Sequence, residues 1–236
     1  MDWDGKPHLA DLLEELCKLD FHWIRLHYLY PEWIDDRLID VIAREDKILK
    51  YLDIPLQHCN DKILKKMNRR GDKKYLCALL DKLRERIPGL VLRTSIIAGL
   101  PGEGEEEFDE LCDFLREQKL LRAGVFPYSP EEGTRAAKME RVDSDEAARR
   151  AERIVDIQSE IIDAWNDERQ GDVMEVLCEG FDGQSMLFVG RSYAESPDID
   201  GRIYFSAPRD VAAGEFVPVR ITGAMDGELT GELAEE

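Results

Sequence analysis

Apolar residues in the stretch "HLADLLEELCK" (8–18) fall at Leu9, Leu12, Leu13 and Leu16, along one face of a helix. The "WIRLHYLY" that follows offers aromatic and β-favouring residues in a short run. The same pairing recurs as "IDDRLIDVIARE" before "YLDIPLQ", and as "DKILKKM" with "KYLCALLDKLRERI" before "LVLRTSIIAGL". It closes with "EEEFDELCDFLREQ" before "LRAGVFPYSP". Strands alternating with helices predict a parallel sheet covered by helices, so residues 1–138 read as α/β. The third strand is apolar from Ile96 to Leu100, as expected of a strand covered on both faces.

Each predicted strand runs into loop chemistry: Tyr30-Pro31, then Pro55 to His58, then Gly99 to Gly102, then Tyr128 to Pro130. In α/β sheets and barrels, ligands sit at these carboxyl ends, so the loops are expected to converge on one site.

From Asp143 to Arg169 a charged segment carries Ala147, Ala151, Ile154, Ile157, Ile161 and Ile162 at helical spacing, with Gly171 placed as a C-cap. After it come five short apolar runs punctuated by Gly, Asp and Pro, which predict a small all-β barrel of the OB kind. The expected division is therefore 1–138, a linking helix over 139–168, and 169–236.

Charge narrows the partners. Fifty-one acidic residues against 32 basic ones give a net charge of -19, which disfavours direct binding of nucleic acid or an anionic membrane and favours a basic partner. No run of 18 apolar residues occurs and no basic flank leads an apolar N-terminal segment, so a cytoplasmic protein is expected. The five cysteines, at 17, 59, 77, 112 and 178, form no CxxC pair and read as reduced, mostly buried thiols.

Three stretches carry candidate chemistry. Gly99 to Gly104 resembles a phosphate cradle, but Glu105, Glu106 and Glu107 follow where a P-loop needs Lys and Ser or Thr. Those carboxylates suit a helix N-terminus, whereas Glu103 lies in the loop itself and could either cap it or accept hydrogen bonds from a cofactor. Gln57 and His58 follow Pro55 at a strand end. Lys62, Lys65, Lys66, Arg69 and Arg70 form the one basic cluster, most simply a solvated helix face. Arg93 sits inside an apolar strand and requires a partner such as a carboxylate. Phe126 and Tyr128 read as core or rim packing, or as an edge able to border an adenine ring.

Taken together, "WIRLHYLYP", "YLDIPLQHCNDKILKKMNRRG", "LRTSIIAGLPGE", "GVFPYSPEEGTRAA" and "VGRSYAESPDIDG" resemble the radical S-adenosylmethionine methylthiotransferases. The match is to the branch that modifies an aspartate of a small-subunit ribosomal protein. In the tRNA-modifying relatives a "QSG"-type segment would be expected where Gln57-His58 stand. The resemblance implies part of a radical SAM, TIM-like barrel of parallel strands over 1–138 and a small OB-like TRAM barrel over 169–236. It also implies S-adenosylmethionine and 4Fe-4S cofactors, and insertion of a methylthio group at the aspartate β-carbon. By carry-over, Gln57, His58, Arg93, Gly99, Glu103, Phe126 and Tyr128 line the cofactor and substrate end. In that set Arg93 pairs with a carboxylate and the Phe126–Tyr128 backbone borders adenine. Residues 171–236 hold 14 acidic against 4 basic side chains, which suits a basic ribosomal protein.

The chain departs from that family in one respect: its cluster motif, CxxxCxxC, is absent, and the five cysteines are never closer than 18 residues. No metal ligand and no catalytic residue is assigned. The expectation is the C-terminal portion of such an enzyme, inactive by itself, starting in a helix before a mid-barrel strand and leaving a sheet edge open. The competing expectations are a tRNA methylthiotransferase portion and a non-catalytic protein-docking module.

Overall fold

The computed structural model describes residues 5–234. Two compact units divide the chain, Met1–Gln158 and Ser159–Glu236.

In the first unit, α1 (Leu9–Cys17), α2 (Asp36–Arg44), α3 (Asp61–Lys66), α4 (Lys73–Arg86) and α5 (Glu105–Gln118) alternate with four strands. These are β1 (Ile24–Leu26), β2 (Ile48–Asp53), β3 (Val91–Ala98) and β4 (Arg122–Pro127), all parallel and hydrogen-bonded in the order β1-β2-β3-β4. Helix starts follow local chemistry. The side chains of Asp35, Asn60 and Asp72 accept the backbone N–H groups of Leu38, of Lys62 and Ile63, and of Tyr75, satisfying donors that a first turn leaves orphaned.

Alternation decides the two faces of the sheet. Leu92, Thr94, Ile96 and Ala98 of β3 are buried, and Leu92 is in register with Leu52, itself in register with Leu26. Leu52 and Leu83 are wholly inaccessible, each stabilising the fold by about 1.5–3 kcal/mol. The other face carries Arg93 and the half-buried Ser95 and Ile97, which stand in register with Arg122, Gly124 and Phe126 of β4. Among the described residues no strand pairs with the outer edges of β1 and β4, so this four-stranded parallel sheet is open at both edges, as the expected part of a barrel would be.

Two strands are shorter than the hydrophobic pattern predicts. β1 stops at Leu26 because Tyr28 adopts a left-handed φ of 58° and turns the chain, after which the Leu29 N–H donates to the Asp53 carbonyl at 2.8 Å. β2 stops at Asp53, and Gln57 touches β3 only through an isolated bridge to Ile96.

The long helix α6 (Ser144–Glu168) follows. Within the first unit its Gln158 amide donates to the Leu120 and Leu121 carbonyls at 2.9 and 2.7 Å. Gly171 has a left-handed φ of 92°, but its N–H donates to the Ile221 carbonyl and so joins the sheet ladder.

In the second unit β5 (Val173–Asp182), β6 (Leu187–Arg191), β7 (Ile203–Ser206), β8 (Phe216–Met225) and β9 (Glu228–Leu233) close into a barrel in the order β5-β6-β7-β9-β8. Val217, Val219 and Ile221 alternate inward along β8 onto Val176, Cys178, Ile203 and Phe205, with Phe188 stacked on Phe205 at 5.6 Å. Closure demands glycine where strands cross tightly: a Cβ at Gly190 would lie 2.5 Å from the Leu177 carbonyl oxygen.

Candidate binding site at the strand ends

Three layers of residues build the carboxyl end of the sheet. The deepest lies on the face that carries Arg93. The carboxylate that Arg93 requires is Asp53, wholly buried, whose Oδ1 accepts from the guanidinium at 3.1 Å and whose Oδ2 lies 3.6 Å from His27 Nδ1. Arg25 stacks over the Tyr51 ring at 4.3 Å on the same face, and the absence of a side chain at Gly124 leaves room for Arg93.

The second layer holds the Gly99–Gly104 loop. Its alternatives were a cap and a cofactor ligand, and the geometry shows the cap. The Glu103 side chain is fully buried; it accepts the Gly99 N–H at 2.9 and 3.0 Å, the Leu100 N–H at 3.3 Å and the Arg150 guanidinium at 2.9 Å. His58 is also fully buried, with Nε2 3.4 Å from a Glu103 oxygen. Its Nδ1 faces the Asn60 N–H at 3.0 Å, so the ring proton belongs on Nε2, directed at Glu103. Burial alone would raise the Glu103 carboxyl, but the hydrogen bonds from His58, Arg150 and Gly99 outweigh it and hold the group below its ordinary range. Gly99 (φ +81°) is required twice over, since a Cβ there would also meet the Ala147 Cβ at 2.6 Å.

Helix α5 begins just beyond. Gly104 is its N-cap residue and donates its N–H to Glu107 at 3.0 Å, while Lys62 pairs with the same carboxylate at 2.8 Å. The Lys62 ammonium and the Gly104 N–H hold Glu107 at about 2. The acidic run is thus a helix start.

The third layer is the open rim. A cleft of about 230 Å³ is walled by Tyr28, Tyr30, Pro55, Gln57, Arg69 and Ser95. Gln57 is held with φ 68° because its N–H donates to the Ser95 carbonyl at 2.8 Å and its carbonyl accepts the Ile97 N–H at 3.0 Å. Tyr28 and Gln57 are both left-handed non-glycine residues, and both line the cleft; backbone strain of this kind collects at binding sites. On the neighbouring strand Phe126 is exposed, and the Tyr128 N–H donates to the Ala98 carbonyl at 2.8 Å, which fixes the Phe126–Tyr128 backbone beside the end of β3.

Of the seven residues singled out in the sequence, Gln57 alone walls this cleft. His58, Gly99 and Glu103 form one buried knot, Arg93 sits deeper with Asp53, and Phe126 and Tyr128 flank the end of β3. The sequence offers Tyr30 only as a strand-end residue and Arg69 only as part of a solvated helix face, whereas Arg69 is half-buried and walls the cleft; Tyr28, Asp53 and Arg150 are not among its candidates. A signal existed for Asp53, a charge in an apolar strand like Arg93, and for Arg69, which follows an Asn placed at a helix end.

A thiolate-bound cluster does not fit the residues present. Among the described residues no three or more His, Cys, Asp or Glu side chains are grouped as metal ligands. Cys59, Cys112 and Cys178 are buried, and burial pushes all five thiols up, away from the thiolate a cluster needs. An adenosyl amino acid suits the rim better, since the cleft offers aromatic rings, an amide, a hydroxyl and a cation.

Comparison with known proteins bears on the same regions. The radical SAM superfamily profile matches residues 4–115 and the TRAM domain profile residues 171–234. The ribosomal protein uS12 methylthiotransferase RimO of Symbiobacterium thermophilum is 46% identical over 100% of this chain and 49% of its own length. The RimO of Pelotomaculum thermopropionicum is 47% identical over 98% of the chain and 53% of its own. The coproporphyrinogen III oxidase HemN of Escherichia coli, a radical SAM enzyme, shares the fold with a TM-score of 0.54 at 20% identity, over 65% of this chain and 36% of that one. The chain spans about half the length of the curated relatives it matches. An open parallel sheet with its rim cleft, a closed five-stranded barrel and this identity along the whole chain lead to one conclusion: the chain belongs to the RimO family of radical SAM, TRAM-containing methylthiotransferases.

Proposed function

We propose that this chain is part of a cytoplasmic ribosomal-protein aspartate methylthiotransferase, which adds a methylthio group to an aspartate β-carbon of a basic small-subunit ribosomal protein. S-adenosylmethionine would be held at the rim, where Gln57, Phe126 and the Tyr128 backbone meet ligand. His58, Gly99, Glu103 and Arg93 position that rim from beneath. When bound, the cofactor supplies the radical and the methyl group. The chain carries no CxxxCxxC motif, and in this reading the iron-sulfur centre that the family uses takes its ligands from a further part of the enzyme, so that the chain alone is inactive.

In this division residues 1–138 serve the cofactor rim, residues 139–168 link, and residues 169–236 dock the protein substrate. The observation that carries the reading is the strained Tyr28/Gln57 cleft at the carboxyl ends of β1 and β2, in a chain 46% identical to a RimO along its length. Charge supports the protein substrate. Of the barrel's four basic residues, Arg191 pairs with Glu179 and Arg209 with Glu215, leaving the acidic excess of 14 to 4 largely uncompensated.

The test is retention of partners on the immobilised chain at moderate salt. The basic ribosomal protein is expected to be held and tRNA to pass through. Retention of tRNA instead would move the assignment to a tRNA methylthiotransferase. Retention of the protein with no adenosyl ligand bound at the rim would leave a docking module.

A further inference from the structure

We propose that Arg69 is the carboxylate-recognition residue of the rim cleft, and that its ligand is an amino-acid carboxylate. Placement of this side chain is dictated locally. At the end of α3 the Asn68 N–H donates to the Lys65 carbonyl at 3.1 Å and the Arg69 N–H to the Leu64 carbonyl at 2.9 Å, with Asn68 left-handed at φ 56°. That is the Schellman closure with Asn at C′, and it turns the chain so that Arg69 faces back toward the strand ends. There the guanidinium lies 5.4 Å from the centre of the Tyr30 ring, a second wall of the cleft, which supports its planar group without neutralising it.

Arg69 stands apart from the other arginines around the strand ends. Arg93 has Asp53, and Arg150 has Glu103, Glu146 and Glu105. Among the described residues the Arg69 side chain makes no ion pair and no hydrogen bond, although it is half-buried in a chain with 51 acidic residues. No acidic residue lines the cleft, while the Gln57 amide and the Ser95 hydroxyl do. A single planar cation with neutral donors beside it matches a carboxylate, which guanidinium binds through two parallel hydrogen bonds. A phosphate would meet only this one cation within a strongly acidic molecule.

Two ligands of the proposed reaction carry that group, the α-carboxylate of the adenosyl amino acid and the side chain of the target aspartate. This choice of ligands rests on the methylthiotransferase reading; the ion chemistry of Arg69 does not.

The test is phenylglyoxal labelling of Arg69 in the 236-residue chain, followed by peptide mass spectrometry. The probes are S-adenosylhomocysteine, 5′-methylthioadenosine (which lacks the amino-acid moiety), a basic aspartate peptide and its asparagine counterpart. Arg69 is expected to be protected by one carboxylate-bearing probe and not by its carboxylate-free counterpart, and that pair names the source. Arg69→Lys should weaken the protecting probe about tenfold, the loss of one charge-assisted hydrogen bond, and leave 5′-methylthioadenosine unchanged. Its melting temperature should match the parent chain, because the backbone closure of α3 is untouched. Equal protection by S-adenosylhomocysteine and 5′-methylthioadenosine, with no difference between the two peptides, overturns the assignment while keeping the adenosyl site. Binding of none of the four, followed by tyrosine fluorescence, overturns the assignment and the cofactor reading with it.

Discussion

Replacing Arg150 with Met tests whether the buried knot supports the rim. Arg150 is 5% exposed, its partner Glu103 3%, and the two side chains meet at 2.9 Å. The same guanidinium donates to the Glu103 and Gly104 carbonyls, each at 3.3 Å, and stacks over Phe108 at 5.0 Å. Met preserves much of the stem volume but leaves a buried carboxylate without its counter-charge, which costs about 3–5 kcal/mol. With a urea dependence of about 2 kcal/mol per molar, the midpoint should fall by about 1.5–2.5 M. Because the chain has two units, the transition should be read locally, by hydrogen exchange of peptides covering Val91–Ala98 and the Gly99 and Leu100 amides. Adding Glu103→Gln to Arg150→Met should recover part of the loss, since the stranded charge is then gone. A midpoint shift below about 0.3 M, or double-variant losses that simply add, would refute the reasoning, because the pair would then be too well solvated to matter.

Two further outcomes follow from the same region. Glu103 and Glu107 both titrate below the ordinary 4.5 when folded, Glu107 at about 2, so the unfolded chain binds more protons as pH drops. Their stabilisation should be complete above about pH 4.5 and be lost toward pH 2; a melting temperature that stays level from pH 5 to 3, or an unchanged slope in Glu107→Gln, contradicts it. Gly99→Ala combines left-handed backbone with a 2.6 Å clash against Ala147 and should cost about 2–4 kcal/mol in urea unfolding. Gly102→Ala meets only the movable tip of Lys66 and should cost about 1 kcal/mol, so equal losses at the two positions would show that the packing around Gly99 yields.

By itself the sequence determined the alternation of helix and strand, the five-stranded barrel and the family, because these rest on periodicity, turn residues and contiguous motifs. One helix start was legible too: the Glu105–Glu107 run opens α5, as carboxylates at a helix N-terminus should. What only the tertiary structure decided is how polar side chains are shared out at the strand ends. Glu103 could have met a ligand or its own loop; Arg150, 47 residues further on, fixes it inward. Arg93 finds Asp53 across 40 residues, through the β2–β3 register. Such pairings depend on which strands become neighbours, and no local window contains both partners. The cleft arises the same way: Tyr28, Gln57, Arg69 and Ser95 belong to separate segments, and the sheet and a left-handed Asn68 bring them to one rim.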